Sequence, residues 1–197
     1  MCKLVCVSNR KIFYDRFGAD ASFSERIRAV LDSGVSVILR EKDLDETEYF
    51  ELLSEIGDPR VIAHSFADAA RRFGCTAVHL PPGLLEKTDV SDFAHIGCSV
   101  HSVEQVADAE RLGADRLTAG HIFATDCKKG LAPRGTELIG EIKRVTHLPV
   151  YAIGGITPET AGMAMRAGAD GVCVMSGFMR CDDPAEYAAA LRAAMRS

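Results

Sequence analysis

Tyr151-Ala152-Ile153-Gly154-Gly155-Ile156-Thr157-Pro158 is followed closely by Gly171-Val172-Cys173-Val174-Met175-Ser176-Gly177. Each is a short apolar run that stops at small residues just before a helical stretch. Glycine lets a backbone come close to a ligand, and a helix start offers unpaired N–H groups. Two such ends in adjacent βα units predict an anion pocket of the kind that holds a phosphate. A phosphate site at the last two strands is the layout of a β/α barrel.

The same alternation runs back through the chain. Short β-branched runs occupy 4–7, 35–39, 60–63, 77–80, 96–100, 116–119, 150–153 and 172–175. Most are continuous apolar runs, as strands buried on both faces require. Amphipathic stretches lie between them at 24–31, 46–56, 103–112, 137–145, 158–167 and 184–195. Asp45, Thr157 and Asp183 stand where helix N-caps belong, the last two before Pro158 and Pro184. Eight strand candidates with intervening helices predict an α/β protein, a compact single-domain (β/α)8 TIM barrel over residues 1–197. An open doubly wound sheet is the competitor, and the phosphate-type turns on the last two strands favour the barrel. The weakest unit is the fourth, where Pro81-Pro82-Gly83-Leu84-Leu85 reads more as loop than helix.

Composition narrows the function classes. With 197 residues, 47% hydrophobic and 26% charged, the chain is long enough for a core and ordinary in balance. A net charge of −5 without a basic face argues against a nucleic-acid partner. No apolar run approaches membrane-span length, and the N-terminal run is too short for a secretory leader. Seven cysteines without a framework read as reduced thiols, so a cytoplasmic location is expected. Cys2 and Cys6 share a strand face, but no second pair completes a metal site there.

Barrel chemistry sits at the C-terminal strand ends. Those ends carry Arg40-Glu41-Lys42, His64-Ser65, Ser99-Val100-His101-Ser102 and the segment from Gly120 to Gly130. His121 follows Gly120 directly after an apolar strand and should project into the mouth. An imidazole there can take and give a proton near neutral pH. His101 is a second candidate, which packing or capping would equally explain. His64 reads as a ligand contact, and His79 lies in a strand whose facing is open. Arg40 and Lys42 alternate, so both suit an anion, against the commoner fate of solvated rim charge. Lys128 and Lys129 occupy a glycine-closed loop able to act as a lid, beside Cys127. No metal-spaced carboxylate set, Ser-His-Asp series or dinucleotide fingerprint appears. No metal and no cofactor is expected, and proton shuttling on a phosphorylated substrate fits the inventory.

These motifs together resemble the thiamine-phosphate synthase superfamily, and within it the TenI branch of thiazole tautomerases. The most specific stretch is Gly120-His121-Ile122-Phe123-Ala124-Thr125-Asp126-Cys127-Lys128-Lys129-Gly130-Leu131. The synthase pattern has Asn-Asp after the third strand, where this chain has His64-Ser65, and a second magnesium aspartate where it has Leu84. The synthase glutamine for the pyrimidine is replaced by Ile38, and its Gly-Pro by Gly120-His121. The resemblance implies an isomerase that aromatises a phosphorylated thiazole tautomer in thiamine biosynthesis, with His121 as acid and base. It implies that Gly154, Gly155, Met175 and Ser176 hold the phosphate. Arg40, Lys42, Ser99 and Lys128 are unranked candidates for the substrate carboxylate, and His64 and Thr125 are further substrate contacts. A thiamine-phosphate synthase, a thiazole-phosphate-binding regulator and a tautomerase for another heterocycle stay open, as does homo-oligomerisation.

Overall fold

In this computed structural model the described residues are 4–125 and 130–196. Eight parallel strands close into a barrel in sequence order. They are β1 (Leu4–Val7), β2 (Ser36–Leu39), β3 (Ile62–His64), β4 (Ala77–Leu80), β5 (His95–Val100), β6 (Arg116–Gly120), β7 (Val150–Ile153) and β8 (Gly171–Val174). Closure joins β8 back to β1, with Cys6 opposite Val174 on one side and Val37 on the other. The barrel expectation is met, and the open sheet is not.

Helices cover the outside: α1 (Arg10–Phe17), α2 (Phe23–Asp32), α3 (Glu46–Ile56), α4 (Ala67–Phe73), α5 (Pro82–Leu85), α6 (Glu104–Arg111), α7 (Glu137–Val145), α8 (Pro158–Arg166), α9 (Ser176–Arg180) and α10 (Pro184–Ala194). The fourth unit, expected as loop, carries one turn of helix started by Pro82. Sequence patterning does not reveal α1, whose one fully buried side chain is Phe13. Its signal is Asn9, whose side chain accepts the Ile12 N–H as an N-cap. In α4 three alanines form the buried face, and alanine gives a weak apolar stripe.

Strand alternation sorts side chains into two cores. Leu4, Cys6, Val37, Leu39, Val78, Leu80, Leu117 and Ala119 point outward into the main core under the helices. Val5, Val7, Ile38, Tyr151 and Cys173 form a second cluster inside the barrel. The period of two then turns His79, between Val78 and Leu80, into the lumen. It does the same for His64, Ser99 and Thr118. The lumen is therefore polar along β3 to β6 and apolar along β7, β8, β1 and β2.

The outer layer also fixes the inner one. Tyr49 of α3 is fully buried. Its hydroxyl donates to Leu39 O at 2.7 Å and accepts the His64 N–H at 3.0 Å. One side chain therefore ties the exits of β2 and β3 together. Loss of that hydroxyl would leave buried backbone groups unpaired, at a cost of about 1–3 kcal/mol for such a group.

Candidate active site

The C-terminal strand ends surround a cavity of about 340 Å³. Arg40, Lys42, His64, Ser99, His121, Thr125, Gly154, Gly155, Met175 and Ser176 all line it. Every sequence-derived site residue within the described part of the chain is thus brought to one mouth. Lys128, with Cys127 and Lys129, lies outside the described residues, as does Cys2.

The β6 exit is built against the β7 exit. A Cβ on Gly120 would stand 2.6 Å from Ile153 O, so only glycine fits. Past Gly120 the ladder continues, with Ile122 N–H donating to Ile153 O and Phe123 N–H to Gly154 O, both at 2.9 Å. The Gly120–His121 peptide is cis. Gly154 has φ +99°, and a Cβ there would lie 2.8 Å from His121 Cα. The histidine thus rests directly on the glycine turn. The His121 ring is buried, and its Nε2 lies 3.4 Å from Leu131 O. A carbonyl only accepts, so this nitrogen is the donor in that contact.

His101 has a different place from the one its sequence position suggests. Its Nδ1 donates to Gly120 O at 2.7 Å, and its own N–H donates to Gln105 Oε1 at 2.7 Å. It holds the peptide that carries His121 while also lining the cavity.

The phosphate candidates follow from the same geometry. Thr157 and Thr160 form a capping box at the start of α8, and Thr160 Oγ1 also donates to Gly155 O at 2.9 Å. The helix start is therefore partly satisfied by its own side chains. Among the described residues, the N–H groups of Gly154 and Gly155 donate to nothing. Together with Ser176 across the β7–β8 gap, they put hydrogen-bond donors on one corner of the cavity, a chemistry suited to an anion.

The opposite wall is a run of imidazoles. His64 and His79 stack with ring centroids 5.9 Å apart. His64 Nδ1 pairs with Ser65 Oγ at 2.8 Å, and His79 Nε2 with Ser99 Oγ at 2.9 Å. Burial, then His79, Arg40 and Lys42, push the His64 pKa down to about 3. Burial, then Arg116, pushes His79 down to about 4. Both rings are neutral at physiological pH. The sequence leaves the facing of His79 open, marks Thr157 only as a helix cap and points to no site role for Thr118 or Cys173, yet all four line the cavity. Strand alternation was the available signal for His79.

These depressed values bear on stability. The unfolded chain takes up protons at about pH 6.5 that the folded chain refuses until about 4 and 3. The stability they contribute is complete above pH 6.5 and is lost as pH falls towards those folded values. Glu41, raised to about 6 from 4.5 by burial, opposes the trend because its protonation favours the fold. The thermal midpoint is expected to fall with acidification below pH 6.5, and less steeply in His79→Gln. Equal slopes in both proteins, measured by calorimetry across that range, would contradict the buried neutral assignment of His79.

The described residues of this mouth do not fit magnesium. That ion takes oxygen ligands, typically with one or two carboxylates. Among the described residues lining the cavity there is no aspartate or glutamate. Ser65 Oγ is already paired with His64 Nδ1, and His64 sits beside two cations. Among the described residues no cluster of three or more His, Cys, Asp or Glu is arranged to hold a metal.

A profile of the thiamine monophosphate synthase family matches residues 4–178. The chain belongs to that family. It is 33% identical over 192 residues to the thiamine-phosphate synthase of Haloarcula marismortui, covering 90% of this chain and 91% of the relative. It is 34% identical to a thiamine-phosphate synthase of Desulfitobacterium hafniense, covering 84% and 86%. The thiamine phosphate pyrophosphorylase structure from Pyrococcus furiosus superposes with a TM-score of 0.78 at 26% identity, covering 98% of this chain and 95% of that one. These names correct one expectation. The resemblance to the tautomerase branch implied an isomerase, whereas the relatives are named as synthases, which are transferases. The superfamily resemblance stands, and the isomerase assignment does not. Among the described residues no helix is long and apolar enough to cross a membrane.

Proposed function

We propose that this protein works in thiamine assembly in the cytoplasm as a transferase of the thiamine-phosphate synthase class. It joins a pyrimidine pyrophosphate to a thiazole phosphate. The bond between the pyrimidine methylene carbon and the diphosphate oxygen breaks, and a bond from that carbon to the thiazole nitrogen forms. Inorganic pyrophosphate leaves.

One observation carries the reading: a single cavity has an N–H-rich anion corner at β7 and β8 and a cationic edge at β2. The first corner suits the phosphate monoester, held by Gly154, Gly155, Met175 and Ser176. The second suits a diphosphate, which Arg40 and Lys42 meet directly. Charge that a metal would otherwise neutralise is then spread over two side chains. His121 lies against the phosphate turn and lines the same cavity, where its ring is the group able to move a proton during the transfer. The neutral His64, Ser99 and Thr125 line the space between the two ends.

A second reading has a specific observation behind it. Among the described residues the mouth carries no carboxylate, and such a lining equally suits a thiazole-phosphate-binding protein that performs no transfer. Incubation with both substrates separates the two. Thiamine phosphate formed with one equivalent of pyrophosphate supports the transferase. Tight thiazole phosphate binding with no product in any buffer supports the binding protein.

A further inference from the structure

We propose that Glu41 is a positioning residue that fixes Arg40 and Lys42 as the anion-facing edge of the mouth by bolting the β2 exit to β1 and α1. The inference rests on the reading of Arg40 and Lys42 as diphosphate contacts. Glu41 stands between two residues that line the cavity and does not line it itself. Its side chain is 3% exposed and turns the other way. One carboxylate oxygen accepts the Ser8 hydroxyl, and the other accepts the Arg10 N–H at 2.9 Å. Ser8 lies just past β1, and Arg10 opens α1. The Ser8 hydroxyl oxygen also accepts the Arg40 N–H at 2.8 Å, and the Ser8 N–H donates to Ile38 O at 2.9 Å. Arg40 is thereby held through its own N–H, and Glu41 through its side-chain carboxylate, with Ser8 joining the two.

The groups facing Glu41 come from every element around it. Arg10 approaches from α1, with Nε 3.8 Å from the carboxylate, while its other end bonds Asp43 Oδ2 at 2.9 Å. Asp43 faces it from the segment after β2, Cys6 from β1 and Tyr49 from α3. Burial outweighs Arg10 and Ser8 and raises the Glu41 pKa to about 6. The carboxylate is therefore on the edge of titration in the neutral range.

Two simpler roles make different forecasts. A mere cap of α1 would alter melting temperature and leave ligand affinity alone. A mere charge would weaken the cationic edge, so that its removal would tighten anion binding. Positioning makes the opposite forecast: removal loosens Arg40 and weakens anion binding.

The test is calorimetric titration of inorganic pyrophosphate into the wild type, Glu41→Gln, Ser8→Ala and Arg40→Ala at neutral pH, with inorganic phosphate as second probe. Glu41→Gln and Ser8→Ala are each expected to weaken pyrophosphate binding by about fivefold or more, the scale of one lost ordering hydrogen bond. Phosphate affinity at the glycine corner should stay within about twofold, since Glu41 has no contact there. The gap between wild type and Glu41→Gln should also narrow below about pH 6, where the native carboxylate is protonated. Unchanged or tighter pyrophosphate binding in Glu41→Gln, with Arg40→Ala weakened, overturns the positioning role. Unchanged binding in Arg40→Ala instead removes the underlying reading of the cationic edge. If Glu41→Gln fails to fold, Ser8→Ala carries the test, because it leaves the carboxylate in place.

Discussion

Gly155→Ala is expected to weaken phosphate-monoester binding by at least tenfold and to lower stability by about 1–3 kcal/mol, the usual cost of a residue forced into a sparsely populated backbone region. Gly155 has φ +65°, and a Cβ there would stand 2.7 Å from Phe123 Cβ and run into the Ala124 carbonyl. The obstruction is largely backbone, which cannot swing aside as a side-chain end can. Relief would require the glycine turn to move away from the β6 loop, taking its unpartnered N–H groups with it. Gly140→Ala on α7 is the matched control, because nothing lies within 4 Å of its Cβ. There the gain in helix propensity is expected to leave stability equal or higher by up to about 1 kcal/mol. Thermal melting and titration with inorganic phosphate check both. A Gly155→Ala protein that binds phosphate as the wild type does would remove the anion corner from β7.

His121→Ala is expected to lower the rate constant for transfer by about a hundredfold or more, within the range removed with a general acid. Phosphate affinity should change far less, because the N–H groups of the turn remain. The split between kcat and KM is the informative part. His121 touches the mouth through its ring, whereas its backbone is held independently: Arg134 N–H donates to His121 O at 3.0 Å. Removing the ring therefore leaves the loop anchored. An unchanged kcat, measured under saturating substrate, would assign the proton to another group.

Much of this site was legible because its signals are local. Gly154-Gly155 and Met175-Ser176 announce themselves by where apolar runs stop, and the strand ends then place Arg40, Lys42, His64, Ser99 and His121 at one mouth. What stayed hidden depends on contacts between distant residues. Glu41 between Arg40 and Lys42 reads as solvated charge until Ser8 and Arg10, 33 and 31 residues away, are seen to enclose it. His101 looked like a second acid or base, and its bond to Gly120 O crosses between strands. Helix α4 escaped notice because alanines bury little area each and so leave a faint stripe. The branch assignment failed for another reason. A histidine replacing a proline, with carboxylates lost, describes the chemistry of a mouth without fixing the reaction, and the relatives carry the name of the transferase.

The most direct test is the rate of thiamine phosphate formation from a thiazole phosphate and a pyrimidine pyrophosphate, compared in excess chelator and in added magnesium. The expected result is product with matching pyrophosphate release in both, at rates within about twofold, as the proposed neutralisation of the leaving group by Arg40 and Lys42 requires. A rate that vanishes in chelator and returns with magnesium would contradict it.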